Sequence, residues 1–283
     1  MRRAIACVIM TGALVVAATS AGAVILRYQG KPGDVRKYAY ASTTRSQAES
    51  MGHEVRSETT LTALLLNKVQ GVEGEVLSLE NTWTKTKMMI KTEGDDEPRN
   101  LSRADRTLLV KMDKQGHIKE FKTGDESTAT TQIDAFGRVL GHMGLLPERD
   151  VKVGDSWSDD AELSGEKIGT IKLRFTRKLT ALEPHQNRDC AKIDTEFGGT
   201  VDTPASVVGD LGVPGGHVEA NTTLSGTVVV WLDRAAGVLT EAVGTLKMIT
   251  ETRWTMPAAG AGEDVEHTAK SVTITNDKLV LQK

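Results

Sequence analysis

Ser156 closes a Gly-Asp-Ser triplet inside VKVGDSWSDD (151–160), and EDVEH (263–267) later supplies Asp264 and His267 in a D-x-x-H arrangement. These residue types are the parts of an acyl-transfer triad: a hydroxyl nucleophile, an imidazole base and a carboxylate that orients it. Ser156 would attack, His267 would take its proton, and Asp264 would hold the ring. Against this stands a second copy of the same Gly-Asp pair at Gly33–Asp34, where Val35 replaces the serine. A turn that launches a strand twice explains both copies, so ester hydrolysis is retained only as a remote alternative.

Other reactive residues form no constellation. The sequence identifies no histidine or comparable group that would activate Cys190, and it reads as structural. The acidic run EGDDEP (93–98) lacks the alternating ligand spacing of calcium loops and reads as a solvated hairpin tip. The six histidines (53, 117, 142, 185, 217, 267) show no metal-ligand spacing. No catalytic residue, metal or cofactor is expected.

The elements that would position these residues are strands. In IGTIKLRFTRKL, Ile171, Leu173 and Phe175 alternate with Lys172, Arg174 and Thr176. In TLKMITETRWTM, Leu246, Met248, Trp254 and Met256 fall on one side. Period-two alternation with β-branched residues favours antiparallel sheets with one covered face. The breaks carry turn chemistry: Asp113 to Gly116, Asp233 to Gly237, and QGVEGE at 70–75. Stretches 198–217 and 257–264 read as loops. One segment differs: from Ser127 to Leu146, Ile133, Phe136, Leu140 and Met143 recur at helical spacing before Pro147.

The landmarks repeat. KPGDV at 31–35 and KVGDS at 152–156 place Gly33–Asp34 and Gly154–Asp155 at the heads of two strand-rich stretches. Asp34 precedes Asp113 by 79 positions, and Asp155 precedes Asp233 by 78. Two related halves are expected, 24–146 and 147–283, in one continuous domain.

One helix, about 10 Å across, cannot roof a sheet of eight or more strands at roughly 4.8 Å spacing. The expected fold is therefore mainly β: a curled antiparallel sheet, half-barrel or barrel-like, of two related halves with one packed helix. Its concavity would be lined by Ile133, Phe136, Leu140, Met143, Ile171, Leu173, Phe175, Leu246, Met248 and Trp254. With aromatic residues at only 4%, such a lining suits acyl chains better than flat stacking ligands.

The opening MRRAIACVIMTGALVVAATSAGA has a basic start, an apolar run and a small-residue site at Ala21–Ala23. That is the layout of a secretory signal peptide over residues 1–23, cleaved near Ala23. A periplasmic or secreted protein with no transmembrane span after processing is expected. Neither the charge balance of −3 nor its distribution suits nucleic acid. After processing Cys190 would be the one cysteine left, so no intrachain disulfide would form.

Three resemblances bear on function. Gly-Asp-Ser followed by D-x-x-H is similar to the pattern of the GDS-type esterases. That family winds helices around a parallel sheet, while residues 156–264 here alternate as strands. LLPERDVKVGDSW (145–157) and LRYQGKPGDVRKYAY (26–40) resemble a family of exported bacterial proteins of unknown function, which has no activity to carry over. The strand-rich outline also looks like the open half-barrels that carry lipids or lipoproteins across bacterial envelopes, a likeness of fold only. The expected function is non-catalytic binding of a lipid or other apolar ligand. The alternative is an envelope module with a protein partner.

Overall fold

The structure is a computed structural model, and it describes residues 22–123, 145–165, 169–202, 218–256 and 265–282. Twelve strands form a single antiparallel sheet: β1 (Val35–Ser50), β2 (His53–Glu73), β3 (Val76–Thr92), β4 (Arg99–Arg103), β5 (Arg106–Asp113), β6 (Ile118–Thr123), β7 (Ser156–Gly165), β8 (Gly169–His185), β9 (Arg188–Asp202), β10 (Val218–Asp233), β11 (Val238–Met256) and β12 (Val265–Leu281). The order across the sheet is β6-β5-β3-β2-β1-β12-β11-β10-β9-β8-β7, with β4 paired to the far part of β3. No helix occurs among the described residues. The expected helix on Ile133, Phe136, Leu140 and Met143 lies outside them.

Two meanders thus meet at the β1–β12 seam in the middle of the sheet. Direction alternates along an eleven-strand path, so edge strands β6 and β7 point the same way. Their edges could pair only as parallel strands, and the sheet stays open rather than closing into a barrel. The stretch 198–217, read from sequence as a loop, is strand up to Asp202. Gly198 and Gly199 weaken the strand signal there, yet both lie in register between β8 and β10.

One end of the sheet is closed by its own turns. Gly33 and Gly154 take positive φ angles of 92° and 100°, which lets the K-x-G-D turns fold tightly. The Asp34 and Asp155 carboxylates accept the Lys31 and Lys152 backbone N–H groups at 2.8 and 3.0 Å. The Gly33 N–H donates to Val69 O, and the Val69 N–H returns to Asp34 O. Gly154 and Asp155 make the same pair of bonds with Leu179. A bulge follows each gripped residue, between Val69 and Gly71 and between Leu179 and Ala181. The hairpin aspartates match as well: Asp113 Oδ1 accepts from Gln115 and His117, and Asp233 Oδ1 from Ala235 and Ala236.

Residues 24–30 cross this end as a strap. Val24 bridges to Val151, the Tyr28 N–H donates to Lys114 O, and the Gln29 N–H donates to Gly237 O. The segment therefore ties the β5–β6 and β10–β11 hairpins together. Its buried side chains Leu26 and Tyr28 join Tyr38, Val69, Leu77, Val110, Leu179, Ile193 and Leu232 in the main core. Each fully buried apolar side chain of this kind contributes about 1.5–3 kcal/mol. Trp157 packs against the same core and donates its indole N–H to Leu145 O at 3.0 Å.

Candidate functional site: the concave face of the sheet

Register places every second residue of each strand on the face that carries the core. Moving from the closed base toward the open end, the first row above the core includes Trp157, Arg177, Thr195, Val228, Gly244, Asp277 and Ser42. The next includes Asp159, Phe175, Phe197, Gly226, Leu246, Thr275 and Thr44. The third includes Ala161, Leu173, Gly199, Leu224, Met248, Thr273 and Ser46. A polar belt thus lies across the face, with an apolar strip above it on the β7–β11 side. Hydroxyls continue up β1 and β12, where Thr44 meets Thr275 at 3.0 Å.

The belt is anchored by Arg177, whose side chain is 1% exposed. Its Nη1–H donates to Asp159 Oδ2 at 3.0 Å, and the guanidinium lies 4.6 Å from the centre of the Phe175 ring. Burial lowers its pKa to about 10, against the opposing pull of Asp159 and Tyr28. Burial likewise pushes the Tyr28 hydroxyl above its ordinary range and Tyr38 up to about 12, so both stay neutral at any physiological pH. Two polar atoms here have no hydrogen-bond partner among the described residues: Arg177 Nε and, directly across the strand pair, Thr195 Oγ1. Across the face, Tyr40 donates its hydroxyl to Asp277 Oδ1.

The apolar strip is a second cluster that meets the main core at Phe197. Ile171, Leu173, Phe175 and Val201 are buried together, with Ala161, Phe197 and Leu224 packed against them. Phe175 and Phe197 lie 5.7 Å apart with tilted rings. Phe197 has room because Gly226 lies beside it: a Cβ there would sit 2.5 Å from the ring.

Of the residues expected to line a cavity, Ile171, Leu173, Phe175, Leu246 and Met248 share this stretch of the concave face. Trp254 shares the face but lies at the open end, stacked on His267 at 5.6 Å. Ile133, Phe136, Leu140 and Met143 are outside the described residues. Gly33, Asp34, Asp113, Gly116, Gly154, Asp155, Asp233 and Gly237 all stand in turns at the closed base. Ser156 opens β7 at that base, while His267 lies near the start of β12 at the other end, roughly 30 Å away along the strands. Asp264 is outside the described residues. The structure does not bring Ser156 and His267 together.

Sequence reading missed Arg177, Thr195 and Asp159. The signal was available: Arg177 has the same parity as Leu173, Phe175 and Leu179, so strict alternation puts it on the covered face. It also missed a cluster on the outer face. There Glu241 accepts from His185 and Gln186 at 2.9 and 3.0 Å and pairs with Lys278 at 2.9 Å, while His185 stacks on Trp231. Burial would raise the Glu241 pKa, but these donors hold it below the ordinary value. Cys190 is fully buried beside Thr240, and burial raises its thiol. No group of residues suited to a metal ion occurs among the described residues, and no described helix is long and apolar enough to cross a membrane.

No family model and no curated protein sequence matches the chain. Among solved structures, one of lipovitellin described for its lipid–protein interactions aligns over 90% of this chain at 11% identity and a TM-score of 0.47. The chain spans 26% of that protein. Pseudomonas aeruginosa OccK5 (OpdH) aligns over 90% of this chain and all of its own, at 7% identity and a TM-score of 0.28. An outer membrane channel from Pseudomonas putida F1 aligns over 90% and 97%, at 9% identity and a TM-score of 0.25. These are likenesses of strand-rich outline, and no residue or role transfers at such scores.

Proposed function

We propose that this chain is an exported, non-catalytic binding protein that takes up a lipid or other apolar ligand on the concave face of its sheet. The observation that supports this most is the apolar strip of Ile171, Leu173, Phe175 and Val201. It is a second buried cluster, joined to the core through Phe197, and it belongs to a sheet whose edges do not close. A core needs no second cluster beyond a polar belt, whereas an acyl chain does. Each methylene removed from water on such a strip contributes about 0.8 kcal/mol, so binding needs few polar contacts. Export rests on the layout of residues 1–23. The matching bonds of Asp34 with Asp155, and of Asp113 with Asp233, support descent of the two halves from one duplicated unit.

The test is native mass spectrometry of protein purified from its own envelope, together with Nile red fluorescence of the delipidated chain. Co-purified lipid and probe enhancement that falls at least tenfold in Leu173→Asp are expected. A protein that carries no cargo and leaves Nile red dark would overturn the proposal. Among the described residues no strand pairs with the outer edges of β6 and β7, which favours a second reading, an envelope module that adds a partner's strand. A dark probe combined with retrieval of one defined envelope protein, abolished by proline in β7, would establish that reading instead.

A further inference from the structure

Arg177 is an expensive residue to place where it stands. A buried guanidinium must find partners for its N–H groups, and here Asp159 accepts from Nη1. Among the described residues Nε has no partner, and neither has the hydroxyl of Thr195 opposite it. Both residues are nine-tenths or more buried, at 1% and 5% exposure. Two orphaned polar atoms, one on a cation and one able to donate, thus belong to residues directly paired on neighbouring strands. A packing requirement alone would be met by leucine, as at Leu179 two residues away on the same face.

The spot has an orientation. The guanidinium lies over the Phe175 ring, one row toward the open end, so it borders the apolar strip on one side while Tyr28 of the core is close enough to interact with its charge. Above it the strip continues through Phe197, Leu173 and Leu224 to Ile171 and Val201. The face therefore presents an anion-binding point at the foot of an apolar track.

Resting on the reading of the concave face as a lipid site, we propose that its ligand is an acidic amphiphile of the fatty-acid class. The carboxylate is held by Arg177 Nε and Thr195 Oγ1, and the chain runs over Phe175 and Leu173 toward the open end. A carboxylate suits the guanidinium edge because its two oxygens match the spacing of planar N–H donors. Asp159 remains on Nη1, which leaves the site one net negative charge when loaded. That balance favours a singly charged head over a doubly charged phosphate.

The experiment compares palmitic acid with cetyl alcohol, each displacing Nile red from the delipidated protein. The wild type is expected to bind the acid about 10- to 100-fold more tightly, the range for a hydrogen bond to a charged group. Thr195→Val, which removes the hydroxyl at nearly constant shape, is expected to weaken the acid several-fold and leave the alcohol unchanged. Arg177→Gln is expected to abolish the preference, and Arg177→Gln/Asp159→Asn serves as its neutral control should the single variant misfold. Equal affinity for acid and alcohol in the wild type would overturn the head-group assignment while leaving lipid binding intact, the two orphan atoms then holding an ordered water. Failure of both ligands to displace the probe would overturn the lipid reading itself.

Discussion

Asp34 and Asp155 hold the same turn in two places. Each carboxylate accepts the backbone N–H of the lysine three residues before it, and each main chain exchanges hydrogen bonds with a fully buried residue, Val69 or Leu179, followed by a bulge. The paired turns fix where β1 and β7 begin relative to β2 and β8, and so fix which side chains face the concavity.

Gly33→Ala and Gly154→Ala are expected to destabilise the protein equally, by about 1 kcal/mol each. At neither site does any atom lie within 4 Å of the position an added methyl would take, so the cost is that of the positive φ alone. Urea denaturation of the two variants measures it. A cost at one site and none at the other would break the equivalence of the turns.

Gly226→Ala acts differently, through space rather than backbone angle. Its methyl would lie 2.3 Å from Thr245 O and 2.5 Å from the Phe197 ring. A loss of about 2–3 kcal/mol is expected, as for other overpacked sites. Phe197→Leu should recover part of it, because the ring clash is relieved and the carbonyl clash is not. Thermal unfolding of the single and double variants decides this.

Stability should fall on acidification through the hairpin aspartates. Burial would raise Asp113 and Asp233, but backbone N–H donors with His117 and Lys119 at the first and Arg188 at the second hold both below their ordinary 3.8. A lowered carboxylate stabilises the fold above its unfolded-state pKa, and the effect disappears as pH falls through the folded-state value. Asp233→Asn is expected to cost about 2 kcal/mol at neutral pH and progressively less below about pH 4. A variant whose deficit stayed constant down to the acid limit would contradict the assignment.

Leu26→Ala probes the strap across the base. Leu26 is 1% exposed within the main core, so a loss of about 2–5 kcal/mol is expected from the cavity it leaves. Guanidinium denaturation gives the magnitude, and a loss under about 1 kcal/mol would mean that residues 24–30 do not hold the base.

Cys190 should report global opening. Its thiol is fully buried and its pKa is raised by burial, so thiolate is scarce and shielded. Labelling by a thiol reagent in native buffer is expected to be on the order of a thousandfold slower than in urea. Rapid native labelling would place the thiol at the surface.

The amino-acid sequence by itself determined the strands, their covered faces and the turns that start them. Alternation of period two and Gly-Asp chemistry are local properties, legible at Leu173 and Phe175 or at Asp113 and Gly116 without knowing any partner. It also implied an uncovered sheet, because so little of the chain has helical spacing. Only the tertiary structure decided that β1 and β12 join the two meanders and that the edges run in the same direction. It alone placed Ser156 and His267 at opposite ends and Thr195 opposite Arg177. Those facts are register between strands far apart in sequence, and a period of two carries no information about which strand lies next or how far it is slid.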